Sequence, residues 1–444
     1  MKKKLVTTVA LAVGLTSVLA ACGKEPAAST NPGATSTTTA PKEFTVSFRH
    51  TQIKDTAKKR KAMFEDVLKE VEGKVPGLKF EPEGVDEVVN RDTKLKAEMA
   101  AGNPPKIFEL FGGADTKNYA KTNNLLDLTP ILKELNLTDS FVDLSEFTVD
   151  GKVYGLPTAG YIQGVFYNKK IFKDNGVEVP KTYAEFLKVA ETLKGKGVTP
   201  LALGGNEAWA LNMLPNTLYV RNGGQEAVAG LVSGTTKWTD EAFVKGHKQF
   251  KEDMWDKGFF NQDAPALKYA QMQDLFAGGK AAMIFDGGWA NQKYSNPDQS
   301  KIVADLGFFN FPTVDGGKGN ELINGSYSNG FGFSAKLNEN EKKAVTEFIK
   351  VMYSEKYQVR QLTEEGFFPS MKLKTGDVKP IINEMLKAAE GKKTFPAFDA
   401  VVQPKVKLDL ENGMQALVGG KKKVEEVLAD VQKSQEAENK KAAK

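Results

Sequence analysis

The sequence predicts an α/β protein of two lobes, each built on a mainly parallel sheet flanked by helices. Three observations lead to this prediction. Between residues 44 and 111, segments typical of strands alternate with segments typical of helices, the order that produces a parallel sheet. The same alternation starts again near residue 164. The chain has 444 residues, and a single hydrophobic core stops growing at about 250–300, so we expect two domains.

The first lobe begins with alternating strands and helices. Runs typical of strands lie at residues 44–48, where apolar and polar residues alternate, and at 78–84 and 107–111. Between the first two runs, apolar residues recur at helical spacing, at Phe64, Val67, Leu68 and Val71. A second helix is predicted from Val88, Leu95 and Met99. It should end at the sequence AGNPP, because glycine and proline interrupt helices.

The second lobe repeats the alternation without repeating the sequence. GVFYN and TPLALGG have the composition of strands, and the segment between them begins with a capping box formed by Thr182 and Glu185. The buried face of that helix is predicted to carry Phe186, Val189 and Leu193. Near the C terminus, a single apolar stripe predicts a helix docked on the body of the protein through Val424, Val427, Leu428 and Val431.

The N terminus has the features of a secretion signal. Three lysines (2–4) precede an apolar run (5–18) that is too short and too rich in small polar residues for a membrane-spanning helix. The run ends at LAACG, which resembles the bacterial lipobox, where the signal peptide (1–21) is removed and Cys22 is acylated. Residues 22–42 lack apolar periodicity and are rich in Ser, Thr, Ala, Pro and Gly, so we predict a disordered tether.

Composition and motifs argue against several classes of function. Charged residues of both signs make up 26% of the chain and give a net charge of only +5, which does not indicate nucleic-acid binding. Cys22 is the only cysteine, so neither an intrachain disulfide nor a catalytic thiol is expected. No zinc-ligand or nucleotide-binding motif occurs, and we expect no metal and no cofactor. His247 is predicted on a helix surface, whereas His50, just after the first strand, is a candidate site residue.

Two tryptophans stand beside carboxylates just after predicted strands. GGNEAWALN contains Glu207 and Trp209, and IFDGGWANQKY contains Asp286 and Trp289. In open α/β sheets, ligands bind beyond the carboxyl ends of the strands. An indole ring suits the apolar face of a sugar, and the polar neighbours suit its hydroxyls, which are costly to bury without partners. The pattern therefore favours a sugar site. The alternative, a tryptophan packed in the core, stays open and is expected for Trp238.

Several longer stretches carry a resemblance to a known family, namely DGKVYGLPTAGYIQGVFYNKKIF, GNPPKIFELFGG, FAGGKAAMIFDGGWA, LGFFNFPTVDGG and GFGFSAKLNENEKKAVTEFIK. From about Phe44 to about Lys433, the chain resembles extracellular solute-binding proteins of carbohydrate ABC importers, the group that includes maltose- and oligosaccharide-binding proteins. The resemblance implies a periplasmic-binding-protein-like fold with a ligand cleft between the lobes. The boundaries that it implies are 43–158 and about 331–368 for lobe 1, and 159–330 and about 369–434 for lobe 2.

The resemblance also implies which residues meet the ligand. Trp289 would stack on a sugar ring with Asp286 beside it, and Glu207 and Trp209 would supply a carboxylate and an aromatic ring from a neighbouring loop. The other positions that it brings to the cleft are Arg49, His50, Gly113, Asp115, Tyr161, Gln163 and Tyr327, with Asn324 and Asn329 close to the second crossing between the lobes.

The implied function is to capture a sugar outside the cell and to deliver it to an ABC permease by cleft closure, with an oligosaccharide as the expected ligand. The protein would be a monomer anchored by Cys22 on the extracellular face of a Gram-positive membrane. Two alternatives stay open. The same fold could bind a polyol, glycerol phosphate or a peptide, with Arg49 as the candidate for a phosphate. A secreted glycoside-processing enzyme would instead need two carboxyl groups about 5–9.5 Å apart.

Overall fold

The computed structural model describes residues 42–373 and 378–442. The predicted signal peptide, the predicted lipidation site at Cys22 and the predicted tether up to residue 41 lie outside the described residues. The chain from Lys42 to Lys444 forms one compact unit. Among the described helices, none is both long enough and apolar enough to cross a membrane.

The strands belong mainly to two sheets. In chain order they are β1 (Phe44–His50), β2 (Leu78–Gly84), β3 (Ile107–Phe111), β4 (Thr148–Val149), β5 (Lys152–Val153), β6 (Gly155–Pro157), β7 (Ala159–Asn168), β8 (Thr199–Ala202), β9 (Ala281–Gly287), β10 (Leu306–Phe309), β11 (Leu322–Ser326), β12 (Asn329–Phe333), β13 (Phe368–Pro369) and β14 (Lys393–Phe395).

Helices connect most of these strands. They are α1 (Lys58–Lys74), α2 (Glu87–Val89), α3 (Leu95–Ala100), α4 (Ala114–Ala120), α5 (Thr129–Glu134), α6 (Lys169–Asp174), α7 (Tyr183–Gly195), α8 (Ala208–Gly223), α9 (Gln225–Ser233), α10 (Glu241–Phe250), α11 (Tyr269–Ala277), α12 (Asn291–Tyr294), α13 (Glu339–Met352), α14 (Glu355–Arg360), α15 (Pro380–Ala389), α16 (Phe398–Val401), α17 (Pro404–Val418) and α18 (Val424–Ala442). A π-helical turn, Asn90–Lys94, joins α2 to α3.

The first sheet has the strand order β2-β1-β3-β12-β6. Strand β1 pairs in parallel with β2 and β3, as the strand–helix alternation predicts, and the late strand β12 joins β3 in the antiparallel sense. Helix α1 covers one face and buries Phe64, Val67, Leu68 and Val71, which confirms the predicted stripe. Val88 was expected on the buried face of the next helix but is 42% exposed.

The second sheet has the order β14-β11-β7-β9-β8. Its edges are parallel pairs, but the central strand β7 runs antiparallel to both β9 and β11. The cause lies at the crossing between the sheets: only Thr158 separates β6 from β7, so the chain enters this sheet directly instead of through the helical crossover that a parallel pair needs.

Each sheet lies in its own hydrophobic core, so the described chain forms the two sheet-and-helix bodies, or lobes, that the sequence predicts. The first body contains the first sheet, and the second body contains the second sheet. The larger core surrounds the second sheet and includes the fully buried Trp238, which confirms its predicted place. The predicted capping box at Thr182 starts α7, and the stripe of α18 docks on the same core. The prediction for His247 was wrong. Its ring is fully buried and stacks on Tyr219 at a centroid distance of 5.6 Å.

Candidate ligand-binding site

A cavity of about 250 Å³ has walls from both bodies. Its aromatic walls are Phe111, Tyr119, Tyr161, Trp209, Tyr269, Trp289, Phe367 and Phe398. Its amide-bearing walls are Gln52, Asn90, Gln163, Asn216, Gln273, Gln292, Asn324 and Asn329. Aromatic faces interleaved with amides can bind a molecule that has both apolar faces and hydrogen-bonding edges.

The second body contributes a cluster of four aromatic rings. The centroid of Tyr269 lies 4.6 Å from that of Trp209, and the centroid of Tyr161 lies 4.7 Å from that of Trp289. The two indoles meet edge to face, with their centroids 6.4 Å apart. Trp209 and Trp289 are half-buried and both line the cavity, so each retains open ring surface for a ligand.

A buried carboxylate braces this cluster. Asp286 is fully buried and accepts hydrogen bonds from the hydroxyls of Tyr269 (2.6 Å) and Tyr294 (2.7 Å). The Tyr269 hydroxyl in turn accepts a hydrogen bond from Nε1 of Trp289 at 2.6 Å. Burial raises the pKa of Asp286, although these hydrogen bonds oppose the shift. Asp286, predicted beside the ligand, lies behind the cavity wall and fixes the orientation of Trp289 through Tyr269.

Glu207 has a similar supporting place. It precedes α8 and its Oε2 accepts a hydrogen bond from the backbone N–H of Tyr269 at 2.7 Å. The residue does not line the cavity, whereas Trp209, in the first turn of α8, does. The carboxylate therefore holds the N terminus of α11 against α8 in the described structure.

Asp115 lies at a contact between the two bodies. Its Oδ2 accepts a hydrogen bond from Nε of Arg91 at 2.6 Å. The same guanidinium donates from Nη1 to Oδ2 of Asp399 (2.6 Å) and from Nη2 to the Asp399 carbonyl oxygen (2.8 Å). It also lies over the ring of Phe111, 3.6 Å from the ring centroid. Burial lowers the pKa of Arg91, but the two carboxylates outweigh burial and raise it. Arg91, Asp115 and Asp399, which we call the interlobe triad, all line the cavity.

Gly113 stands at the same contact. Its φ of +68° is in the left-handed region, and a Cβ there would lie 2.0 Å from the carbonyl oxygen of Ala400 in the second body. Gly113 does not line the cavity, and its N–H donates to the carbonyl oxygen of Glu146 at 2.6 Å. Burial raises the pKa of Glu146 to about 7. A second ion pair, from Lys407 to Asp92 at 3.0 Å, also joins the two bodies.

Arg49 and His50 lie behind the cavity wall, while the next two residues, Thr51 and Gln52, line it. The Arg49 guanidinium is buried and donates to Glu83 at 2.9 Å and to Glu98 at 2.8 Å. Nδ1 of His50 accepts a hydrogen bond from the N–H of Gln52 at 3.1 Å, and burial lowers the pKa of the ring.

The remaining predicted site residues also divide into those that line the cavity and those that do not. Tyr161, Gln163, Asn324 and Asn329 line the cavity, but Tyr327 does not, because its ring packs on Gly160, where a Cβ would be only 2.4 Å away. Sequence reasoning missed several lining residues that come from helices and loops without a local motif: Gln52, Asn90, Arg91, Glu109, Asn216, Phe367 and Asp399.

Comparison with known proteins identifies the family. Residues 55–359 match the sequence profile of the bacterial extracellular solute-binding proteins. The chain belongs to this family. The match covers more than half of the chain and confirms the family resemblance found in the sequence. The family consists of binding proteins rather than enzymes, and membership accounts for the two bodies with a cavity between them.

Individual relatives of this solute-binding protein have been named for sugars. A multiple sugar-binding protein of Streptococcus mutans is 27% identical over 77% of this chain and 76% of its own. A diacetylchitobiose-binding protein of Streptomyces coelicolor is 28% identical over 71% of both chains. A solved structure of a chitin oligosaccharide binding protein is 52% identical, with a TM-score of 0.87 over 89% of this chain and all of that one.

Proposed function

We propose that this solute-binding protein captures an oligosaccharide outside the cell, closes its two lobes on it and delivers it to an ABC permease. The observation that carries the proposal is the cavity itself. Trp289 presents an indole face that is fixed by Tyr269 and Asp286, and amides from both bodies line the same cavity. A sugar has apolar ring faces and a polar edge, so it needs both kinds of surface.

We further propose a chitin oligosaccharide as the ligand class. The relative that binds chitin oligosaccharides is similar over nearly the whole chain, at 52% identity. The charges in the cavity wall favour an uncharged ligand over the alternative of a phosphate. Among the residues that the structure describes, each cationic side chain of that wall is paired with a carboxylate: Lys54 with Asp86, Arg60 with Glu365, Arg91 with Asp115 and Asp399, Lys293 with Asp274, and Lys407 with Asp92.

The setting that we propose follows the sequence. A signal peptide (1–21) directs export, lipid on Cys22 anchors the protein at the outer face of a Gram-positive membrane, and residues 22–42 tether the binding unit. The protein acts as a monomer and makes no covalent change to its ligand. Mass spectrometry of the protein from its membrane tests the anchor, because acylation adds the mass of lipid chains to a peptide that starts at Cys22.

Calorimetric titration of the compact unit from Lys42 to Lys444 tests the main proposal. Chitin, cello- and malto-oligosaccharides form the sugar panel, with glycerol phosphate and a peptide mixture for the alternative solutes. We expect saturable binding of an oligosaccharide and no release of new reducing ends on long incubation. Binding of glycerol phosphate or peptide alone would refute the sugar assignment, and release of reducing ends would indicate an enzyme.

A further inference from the structure

Four buried amides of the cavity wall, at Asn90, Gln163, Asn216 and Asn324, have a hydrogen-bonding atom without a partner among the described residues, and two of them lie on neighbouring strands. Gln163 and Asn324 are 3% and 1% exposed, and both line the cavity. Among the described residues, Oε1 of Gln163 and both Oδ1 and Nδ2 of Asn324 have no hydrogen-bonding partner. Buried polar groups are normally paired, because an unpaired one loses its hydration without compensation. These three atoms therefore point to a ligand with matching groups.

The strand register places the two amides next to each other. Strand β11 pairs with β7 through Gly325 opposite Ile162 and Ser326 opposite Tyr161. Continuing this antiparallel register by one residue sets Asn324 opposite Gln163. Directly opposed side chains lie on the same face of a sheet, with Cβ atoms about 4.5–5.5 Å apart.

Trp289, two residues beyond β9, completes this row because its ring lies over that third strand. On its other side, Gln163 pairs with Gly287 of β9. Gly287 has no side chain, and the ring of Trp289 folds back over it, with Cη2 and Cζ3 both 2.3 Å from the position that a Cβ would occupy. The face therefore carries, across three neighbouring strands, the amide of Asn324, the amide of Gln163 and the indole of Trp289.

From this row we propose that Gln163 and Asn324 recognise the 2-acetamido group of an N-acetylhexosamine unit that stacks on Trp289. An acetamido group has one N–H donor and one carbonyl acceptor, which point in opposite directions because its amide bond is trans. Nδ2 of Asn324 can donate to that carbonyl, and Oε1 of Gln163 can accept from that N–H. A 2-hydroxyl offers its donor and its acceptor on one oxygen atom, so in this proposal it satisfies the two amides less well than an acetamido group, whose N–H and carbonyl are separate. The pair thus selects N-acetylated over plain sugars.

This inference rests on the proposed function, and its test separates the two. Titration compares triacetylchitotriose with cellotriose, which has the same β-1,4 backbone but a hydroxyl at each C2. We expect the wild type to bind triacetylchitotriose at least about tenfold more tightly, because a site built for an N–H rejects a ligand without it. Asn324→Asp keeps the shape, and its ionised carboxylate has no donor, so the titrations are made at neutral to alkaline pH. The substitution should remove most of that preference while cellotriose affinity changes by less than about threefold.

Asn291→Asp is the matched control. Asn291 is also fully buried with both amide atoms unpartnered among the described residues, but it does not line the cavity. We expect it to keep the full preference. If Asn324→Asp does not fold, Gln163→Met, which removes the Oε1 acceptor at similar volume, replaces it with the same expectation.

The possible results give distinct conclusions. An equal loss for both trisaccharides in Asn324→Asp, or no loss for either, would overturn the assignment of the amide pair. Equal affinity of the wild type for both trisaccharides would overturn it as well, but would leave the protein a sugar receptor. Binding of neither trisaccharide, together with binding of another sugar in the panel, would overturn both this inference and the chitin assignment. Binding of no sugar at all would refute the proposed function itself.

Discussion

Replacing Asp399 by Asn is expected to weaken ligand binding through the contact between the lobes. In the interlobe triad, Arg91 and Asp399 are only 12% and 14% exposed, so water screens their attraction weakly. The variant keeps the side-chain shape and the backbone carbonyl that accepts from Nη2, and Arg91 keeps Asp115. The amide oxygen of Asn can still accept from Nη1, so what is lost is the negative charge that strengthens the hydrogen bond from Nη1 to Oδ2 at 2.6 Å.

The magnitude follows from that single bond. A hydrogen bond to a charged group contributes about 1.5–3 kcal/mol, and we take the lower end because Arg91 is not left unpaired. The bond joins the two bodies, so its weakening destabilises the closed form and leaves each lobe unchanged. Because each 1.4 kcal/mol is a factor of about ten in affinity, the dissociation constant should rise by about 10- to 30-fold.

Calorimetry with triacetylchitotriose measures this change, and small-angle scattering with and without ligand measures how far the lobes close. The control is Asp174→Asn, which breaks an exposed pair with Lys170 (2.6 Å) inside α6 of one lobe and should leave affinity unchanged. An Asp399→Asn affinity within twofold of wild type, with the same degree of closure, would refute the reasoning. Wild-type affinity should also fall with added salt, and this dependence should shrink in the variant.

Four further predictions use other parts of the site. Trp289→Ala removes the stacking face and should lower sugar affinity by at least about tenfold in titration, with retained circular dichroism as the check on folding. Tyr269→Phe should lower affinity less, because it leaves the indole in place but removes the hydrogen bond that orients it. Gly113→Ala should prevent full closure in scattering, because its Cβ would meet the carbonyl oxygen of Ala400; a normal closed form would contradict this. Burial raises the pKa of Glu146 to about 7, so the folded state binds more protons than the unfolded state between about pH 4.5 and 7. This contribution to the free energy of unfolding is lost as pH rises through 7. In Glu146→Gln, the melting temperature should therefore depend less on pH over this range.

The sequence predicts most reliably what depends on local periodicity. The stripe of α1, the capping box at Thr182 and the aromatic residues after β8 and β9 were all found from neighbours within one turn or one strand. It fails where a side chain is defined by distant residues. Arg91 is joined to Asp399, 308 positions away, and no local motif marks either residue. His247 occupies a helix of mixed polarity, and only the packing of α8 against α10 shows that its ring is enclosed.

Nearness in sequence does not distinguish the roles of neighbouring residues. Asp286 and Glu207 stand close to tryptophans in the sequence. The expectation that these carboxylates meet the ligand assumed that each one faces the cavity as its neighbouring tryptophan does. The structure separates them, because β9 is buried on both faces and Asp286 points toward Tyr269 and Tyr294. A carboxylate in that position holds the ring that lines the cavity. The same residue types at the same spacing can therefore either bind a ligand or support the group that does.

The distribution of cavity residues over the two lobes explains how a ligand could control closure in the proposed function. A ligand shifts an equilibrium between open and closed forms only if it binds the closed form more tightly. Trp289, Gln163 and Asn324 come from the second body, whereas Asn90 and Phe111 come from the first. A sugar held only by the residues of the second body would bind equally well to the open and the closed form. In the proposed function, contacts between the sugar and the residues of the first body form on closure. These contacts, together with the interlobe triad, determine how far binding favours the closed form, which a permease would meet.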